Sequence, residues 1–351
     1  MYVFYRKSSR YSQNKALLRV TNDILISSDT GNLNILILLD LTAAFDTINH
    51  SILLSRLQTI YNITGTALSW FTSYLTDRHQ FIHIDNCKSD SALLTQGVPQ
   101  GSVLGPLLFI LYILPLGQII RRHGLQFHCF ADDIQLYLST KTINPVTHST
   151  LTNCISEIKS WLKLNYLQLN CNKTEIILIG PKTLTNANSS LTLSIDGTPV
   201  SFSSHLRNLG IIFNQTLSYE HHIKTPSHLR NIARLRPSLT PQSAEILIHA
   251  FVTSRLDYCN SLLYGSPSKL LNRLQYIQNS AARLLTHTSS RDHITPTMFF
   301  LSLSQSSSRL VDACVQALKV QHCPIQASTP EAAKACALPQ TWTLSVGKVN
   351  L

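Results

Sequence analysis

The chain has 351 residues, 44% of them hydrophobic, which is enough for a sizeable core in two domains, or in one large domain with an appended bundle, without disulfide staples. Only 13% of residues are charged, yet the net charge is +11, because 18 acids face 29 bases. Such an excess suggests an anionic partner, most simply nucleic acid, with a generically basic soluble protein as the plain alternative. The eight cysteines, at 87, 129, 154, 171, 259, 314, 323 and 336, form no C-x-x-C pair, which argues against a zinc knuckle and fits a reducing compartment.

From the N-terminus, residues 1–7 lack a long apolar core behind a basic end, so no signal peptide is expected. Residues 1–16 are polar and basic without a clear period, and 17–28 read as a short helix closed by Asp29-Thr30-Gly31. Residues 33–39 are a continuous apolar run, as expected for a strand buried on both faces. Asp40 follows at once, at a sheet rim where it can be fixed in place and still reach a ligand. The alternative for Asp40 is a helix cap, because residues 41–45 could start a helical turn. Residues 51–61 and 66–76 read as helices, the first with Ile52, Leu53, Leu57 and Ile60 on one side. Residues 81–84 and 93–95 look like a hairpin pair. The loop Gln96-Gly97-Val98-Pro99-Gln100-Gly101 continues through Gly105 and Pro106 into an apolar helix reaching about residue 120. Glycines permit close backbone approach to a ligand, and a helix N-terminus favours an anion. Residues 103–120 carry no charge and have the length of a marginal membrane span, but Gly105, Pro106, Pro115 and Gly117 interrupt them, so a buried core helix is expected.

Residues 125–138 hold two β-prone runs around Ala131, Asp132 and Asp133, which predicts a hairpin with a pair of carboxylates at its tip. Adjacent carboxylates repel unless solvent or a cation neutralises them. Asp is also a common turn former, so the pair alone reads as a plain surface turn; Asp40 at the end of another buried strand is what makes a two-metal site for nucleotidyl transfer plausible. Leu151, Ile155, Ile158, Leu162 and Leu169 keep helical spacing, which predicts a helix of roughly five turns packed on the sheet. Asn172-Lys173-Thr174 precedes a strand over 175–180, residues 183–190 read as a polar loop, and a small hairpin turns at Asp196-Gly197. Residues 205–213 read as a further strand. Residues 244–263 and 270–284 read as two helices packed as a pair through Gly265-Ser266-Pro267. From about residue 300 the chain is Ser-, Ala- and Cys-rich with poor periodicity.

These blocks, in this order, resemble the reverse transcriptase domain of non-LTR (LINE-type) retrotransposons, from about residue 17 to about 296. Residues 39–46 look like the family's first palm motif, 96–106 its second and 130–133 its third. Asn172-Lys173-Thr174 and Leu209-Gly210 resemble the fourth motif and the primer grip, while 254–260 and 275–285 resemble the helical thumb. The resemblance implies an α+β right-hand polymerase with an antiparallel palm sheet, partial fingers and a helical thumb. Its divisions would be a remnant of the fingers over 1–32, palm with inserted fingers elements over 33–215, a thumb-like region over 216–296 and an unassigned tail over 297–351.

The resemblance also implies roles. Asp40 and Asp132 would hold two Mg²⁺ ions, with Mn²⁺ as the substitute, and Asp133 would add charge nearby. The backbone carbonyl of Leu41 is a further candidate ligand. Phe45 occupies the steric-gate position that selects dNTPs against ribonucleotides; its alternative is a core aromatic. Gln100, with Gly101 beside it, would contact the incoming nucleotide and the template. Lys173 would be the general acid for pyrophosphate or a phosphate-binding cation, against the alternative of a solvated lysine. Arg230, Arg234, Arg236, Arg255, Arg273 and Arg283 could track a nucleic-acid backbone. The implied partners are an RNA template, a DNA primer and dNTPs, with no membrane, in an intracellular, nuclear or cytoplasmic ribonucleoprotein. The family's long N-terminal fingers extension and endonuclease domain have no counterpart in these 351 residues, and the resemblance stops after Pro296. A truncated copy is therefore expected, and the second reading is a catalytically inactive remnant that at most binds nucleic acid.

Overall fold

In the computed structural model, which describes residues 10–289 and 292 apart from 86, 189–191, 196–197 and 224–226, the apolar run becomes the heart of an antiparallel sheet. Helix α1 (Arg10–Asp29) leads into strand β1 (Leu33–Leu39), and helices α2 (His50–Thr59) and α3 (Gly65–Leu75) follow. Helices α4 (Gly105–Ile113) and α5 (Leu116–Arg122) precede the hairpin β2 (Gln126–Phe130) and β3 (Asp133–Thr140). Helix α6 (Pro145–Leu164) then returns the chain to strand β4 (Glu175–Ile179). The sheet order is β4-β1-β3-β2, with every neighbouring pair antiparallel.

Apart from Asn34, strand β1 is apolar on both faces, and both faces are covered. Ile35, Ile37 and Leu39 join one core with Leu108 and Phe109 of α4 and with Ile155 and Ile158 of α6. Leu36 joins a second core with Leu17, Val20 and Ile24 of α1. This is the α+β sheet-and-helix arrangement expected of a palm. A third core, built from Ile223, Ile232, Ile248, Val252, Leu270, Ile277 and Ala281, holds the C-terminal helices together.

Several sequence expectations are corrected. The first helix begins at Arg10, ahead of residue 17. The apolar helix is two helices, because Pro115 has no N–H to continue the first. The stretch Gly105–Arg122 is long and apolar enough by composition to cross a membrane, yet half of it is buried inside the protein. Leu169 lies beyond α6, in the short strand Gln168–Leu169. The expected polar loop after residue 183 holds the short helix Lys182–Ala187. The single strand over 205–213 is a hairpin, His205–Asn208 with Ile211–Asn214, because Leu209 and Gly210 turn with φ of 45° and 90°. The helix over 244–263 ends at Asp257, where left-handed Cys259, at φ 56°, diverts the chain into the turn Asn260–Leu263. The expected pairing of 81–84 with 93–95 is replaced by a nested hairpin, in which His79–Gln80 pairs with Ala92–Leu93 and His83–Ile84 with Cys87–Lys88. The expected turn at Asp196-Gly197 and the tail over 297–351 lie outside the described residues.

Candidate active site

The site is set by the register of β1 and β3. Leu39 pairs with Ile134, and β2 and β3 close at Phe130 with Asp133. Continuing the first register by one step puts Asp40 across from Asp133, with Asp132 in the turn beside it. The residues that the sequence separates by about ninety positions thus share one sheet rim. Ala131, fully buried at the tip, sits at φ 54°. That is a left-handed conformation that costs an alanine roughly 1 kcal/mol or more, the kind of strain that collects at functional sites. The helix-cap alternative for Asp40 is removed: Leu41–Thr42 is a short strand paired with Gln168–Leu169, and the next helix along the chain starts only at His50.

That pairing also brings in the fourth motif. The Asn170 N–H donates to the Asp40 carbonyl at 2.8 Å, and the tight turn Cys171–Lys173 follows. Lys173 Nζ lies 3.6 Å from Asp40 Oδ2, with the lysine side chain mostly exposed. Lys173 is therefore a solvated lysine aimed at the rim carboxylate. Leu41 buries its side chain in the core, so only its backbone could serve a ligand.

The glycine loop is docked on the segment after Asp40. The Gly97 N–H donates to Ile48 O at 2.8 Å and the Val98 N–H to Phe45 O at 2.9 Å. His50 Nε2 meets the Gly97 carbonyl at 2.7 Å. Gly97 is at φ 83°, and a Cβ there would lie 2.9 Å from the Asp46 carbonyl oxygen, so only glycine fits this approach. Gln100 is exposed and donates through Nε2 to Asp46 Oδ1 at 2.8 Å. Gly101, at φ 78°, has open space around it. Phe45 is half-buried, its ring 4.9 Å from that of Phe109 in α4, so it packs against the core while keeping a solvent edge.

Asp46, His50, Arg56 and Tyr61 escaped the sequence reading. Because Pro115 lacks an N–H, the Leu111 carbonyl loses its helical donor, and the Tyr61 hydroxyl donates to it at 2.7 Å. The half-buried Arg56 guanidinium donates to the Tyr112 carbonyl and to Asn165 Oδ1, and lies 4.7 Å and 5.1 Å from the ring centres of Tyr112 and Trp161. Burial lowers the Arg56 pKa, against the opposing pull of Tyr112 and Tyr61. Arg56 thereby ties α2 to α4 and α6. Its signal was available: it sits between Leu53 and Leu57, on the stripe that α2 buries.

The donors at the rim are carboxylate oxygens, the hard ligands that Mg²⁺ prefers, and Asp40, Asp132 and Asp133 are all half-exposed. Among the described residues no group of three His, Cys, Asp or Glu side chains is gathered as a metal cage. Mg²⁺ is commonly held by one or two carboxylates with phosphate oxygens and water, and for that ligand set the rim fits.

A second feature is a cleft of about 850 Å³ between the hairpin His205–Asn208/Ile211–Asn214 and the C-terminal helices, lined by Arg207, Gly210, His222, Arg255 and Tyr258 among others. Burial, then Arg207 and Arg255, lower the pKa of His222. The Tyr258 hydroxyl donates to the Leu209 carbonyl, fastening the hairpin turn to the helices. Arg236 is not available to a nucleic-acid backbone: it is buried and donates to the carbonyls of Leu284, Leu285 and Leu239 at 3.0, 3.3 and 3.1 Å. Two of those carbonyls belong to the end of the helix Ser268–Thr286, which favours a cation. Arg230 and Arg234 are exposed.

Residues 4–216 match the family model described as reverse transcriptase (RNA-dependent DNA polymerase). The chain is 26% identical over 281 residues to the probable RNA-directed DNA polymerase from transposon BS of Drosophila melanogaster, covering 76% of this chain and 30% of that protein. It is 26% identical over 196 residues to the RNA-directed DNA polymerase from mobile element jockey of Drosophila funebris, covering 54% of this chain and 20% of that protein. The chain thus spans less than a third of the length of these relatives. Apo telomerase from Candida tropicalis aligns with a TM-score of 0.43 and 13% identity, over 93% of this chain and 56% of that one.

Proposed function

The chain belongs to the reverse transcriptase (RNA-dependent DNA polymerase) family, and from that premise we propose that it extends a DNA primer with deoxynucleotides along an RNA template. The observation that carries the proposal is the β1–β3 register, which sets Asp40 against the Ala131–Asp133 turn. Asp40 and Asp132 would hold Mg²⁺, or Mn²⁺ in its place, with Asp133 adding negative charge. When bound, the paired cations would activate the primer 3′-hydroxyl and stabilise the leaving pyrophosphate. Lys173, poised at Asp40, would neutralise or protonate the pyrophosphate oxygens. Phe45 would present its solvent edge to the sugar and exclude a 2′-hydroxyl, and Gln100 would contact the nucleotide. The basic cleft beside Leu209-Gly210 would seat the primer strand, with Arg207 and Arg255 against its phosphates. In this reading residues 33–215 act as palm with fingers elements and 216–296 as thumb.

The test is primer extension by the purified chain on an RNA template with dNTPs and Mg²⁺. Asp40→Asn and Asp132→Asn should each lower extension by about a hundredfold or more, since each removes charge where the reaction develops it. Activity equal to wild type in either variant would sink the site assignment. RNA binding without extension in Mg²⁺ or Mn²⁺ would favour the binding-only remnant.

A further inference from the structure

The proposed reaction gives Asp46 no task, yet its carboxylate is the partner of the one loop side chain assigned to the nucleotide. Its backbone is held: the Asp46 N–H donates to Ala43 O at 2.9 Å, in a turn where Ala43 adopts φ 47°. Gly97 packs directly on the Asp46 backbone, and its loop is tied to residues 45, 48 and 50 by the hydrogen bonds described above. On this fixed frame Gln100 Nε2 donates to Asp46 Oδ1 at 2.8 Å.

A primary carboxamide has two nearly isosteric faces, one a donor and one an acceptor. An ionised carboxylate only accepts. Asp46 therefore selects one of the two faces: Nε2 must turn toward it, which leaves Oε1 and the second N–H of Gln100 outward. We infer that Asp46 is a positioning residue that locks the orientation of the Gln100 carboxamide, so that the incoming deoxynucleoside triphosphate meets an acceptor, Oε1, at a fixed place. The inference rests on the polymerase reading and deepens it. An asparagine at position 46 can donate as well as accept, so it removes the bias while keeping size and shape.

Two measurements on the full chain test this. In steady-state primer extension, Asp46→Asn should raise the KM for dNTP by about tenfold with kcat within about twofold of wild type, the scale of one charge-assisted hydrogen bond. In a Gln100→Ala background the same substitution should change KM by less than about twofold, because the two side chains act as one unit. The Gln100 side-chain amide resonance of ¹⁵N-labelled protein should also shift in Asp46→Asn, whatever the catalytic outcome. If wild type extends primers but the two substitutions act additively on KM, or Asp46→Asn is silent, the inference is overturned and the polymerase reading stands. An unmoved Gln100 resonance also overturns it. If wild type extends nothing, the polymerase reading falls and takes the nucleotide role of Asp46 with it.

Discussion

Gly97→Ala isolates the docking of the glycine loop. The substitution carries two separable costs. The first is torsional: an alanine at φ 83° lies outside its favoured regions, at roughly 1–2 kcal/mol. The second is steric: the new Cβ would lie 2.9, 3.1 and 3.2 Å from the Asp46 O, Cα and C atoms, all backbone, so no side chain can rotate away. Relief requires the loop to lift, weakening the Gly97–Ile48 and Val98–Phe45 hydrogen bonds, each worth about 1 kcal/mol net. The total is about 2–4 kcal/mol. Gly101→Ala is the internal reference, because Gly101 has φ 78° in the same loop but nothing within 4 Å of the point where a Cβ would stand. It should cost only the torsional part. Urea denaturation of both variants reads the difference, which should be about 1–2 kcal/mol. Gln100 is carried three residues along the displaced loop, so primer extension by Gly97→Ala should fall by about a hundredfold. Equal stabilities for the two variants would refute the close approach as the reason for glycine at 97.

Four further outcomes follow from the same geometry. Arg56→Leu leaves the Tyr112 carbonyl and Asn165 Oδ1 without their cationic donor and should cost about 2–4 kcal/mol in urea denaturation, with Arg56→Lys recovering less than half; a loss under about 0.5 kcal/mol would contradict the tie between α2, α4 and α6. His128, buried in β2, has its pKa pushed down to about 4 by burial first and then by Arg19. Its native state stays neutral while the unfolded chain titrates near 6.5, so its contribution is complete above that pH and is lost as pH falls toward 4. Wild type should lose about 2–3 kcal/mol more than His128→Gln between pH 7 and 4.5, and parallel stability curves would reject that role. Phe45→Val should admit ribonucleotides and, by removing the ring from Phe109, cost about 1–2 kcal/mol; undiminished exclusion of ribonucleotides would return Phe45 to the core aromatics. Asn34→Val should leave a folded sheet with markedly reduced extension, read by circular dichroism and primer extension together, and full activity would dismiss a register role for Asn34.

What the sequence disclosed was mostly what neighbours along the chain decide. The run over 33–39 could be nothing but a strand covered on both sides, and the Asp132-Asp133 pair between two β-prone runs could hardly sit elsewhere than a hairpin tip. The misreadings came where a single backbone detail overrode periodicity. Pro115 split an apolar run that hydropathy reads as continuous. Leu209 and Cys259 took left-handed conformations that no propensity assigns to them. The side chains that join motifs were hidden for a different reason. Asp46 meets Gln100 across 54 positions, His50 meets Gly97 across 47, and Arg56 meets Asn165 across 109. Local pattern says nothing about such pairs. Arg236 is the converse case: its charge suggested a nucleic-acid contact, and three carbonyls of the protein itself take its donors.

The carboxylate rim depends on something that the apolar pattern cannot supply. Register is normally enforced because a one-residue slip turns a buried face outward. Apart from Asn34, strand β1 is apolar on both faces and covered on both, so a slip exposes little and the hydrophobic term discriminates weakly. The buried polar pair at its far end does discriminate. Asn34, fully buried, stands opposite Ser139, and its Oδ1 accepts from the Ser139 hydroxyl at 2.6 Å while its Nδ2 donates to Ser28 Oγ at 3.0 Å. Any slip strands that amide in a core, at a cost of about 1–3 kcal/mol for each unpaired group. A buried polar contact used this way trades stability for a unique alignment. Six residues farther along the same face, roughly 20 Å away, that alignment is what brings Asp40 opposite Asp133. The geometry of the candidate active site is thus held from the opposite end of the strand, by residues that touch none of its chemistry.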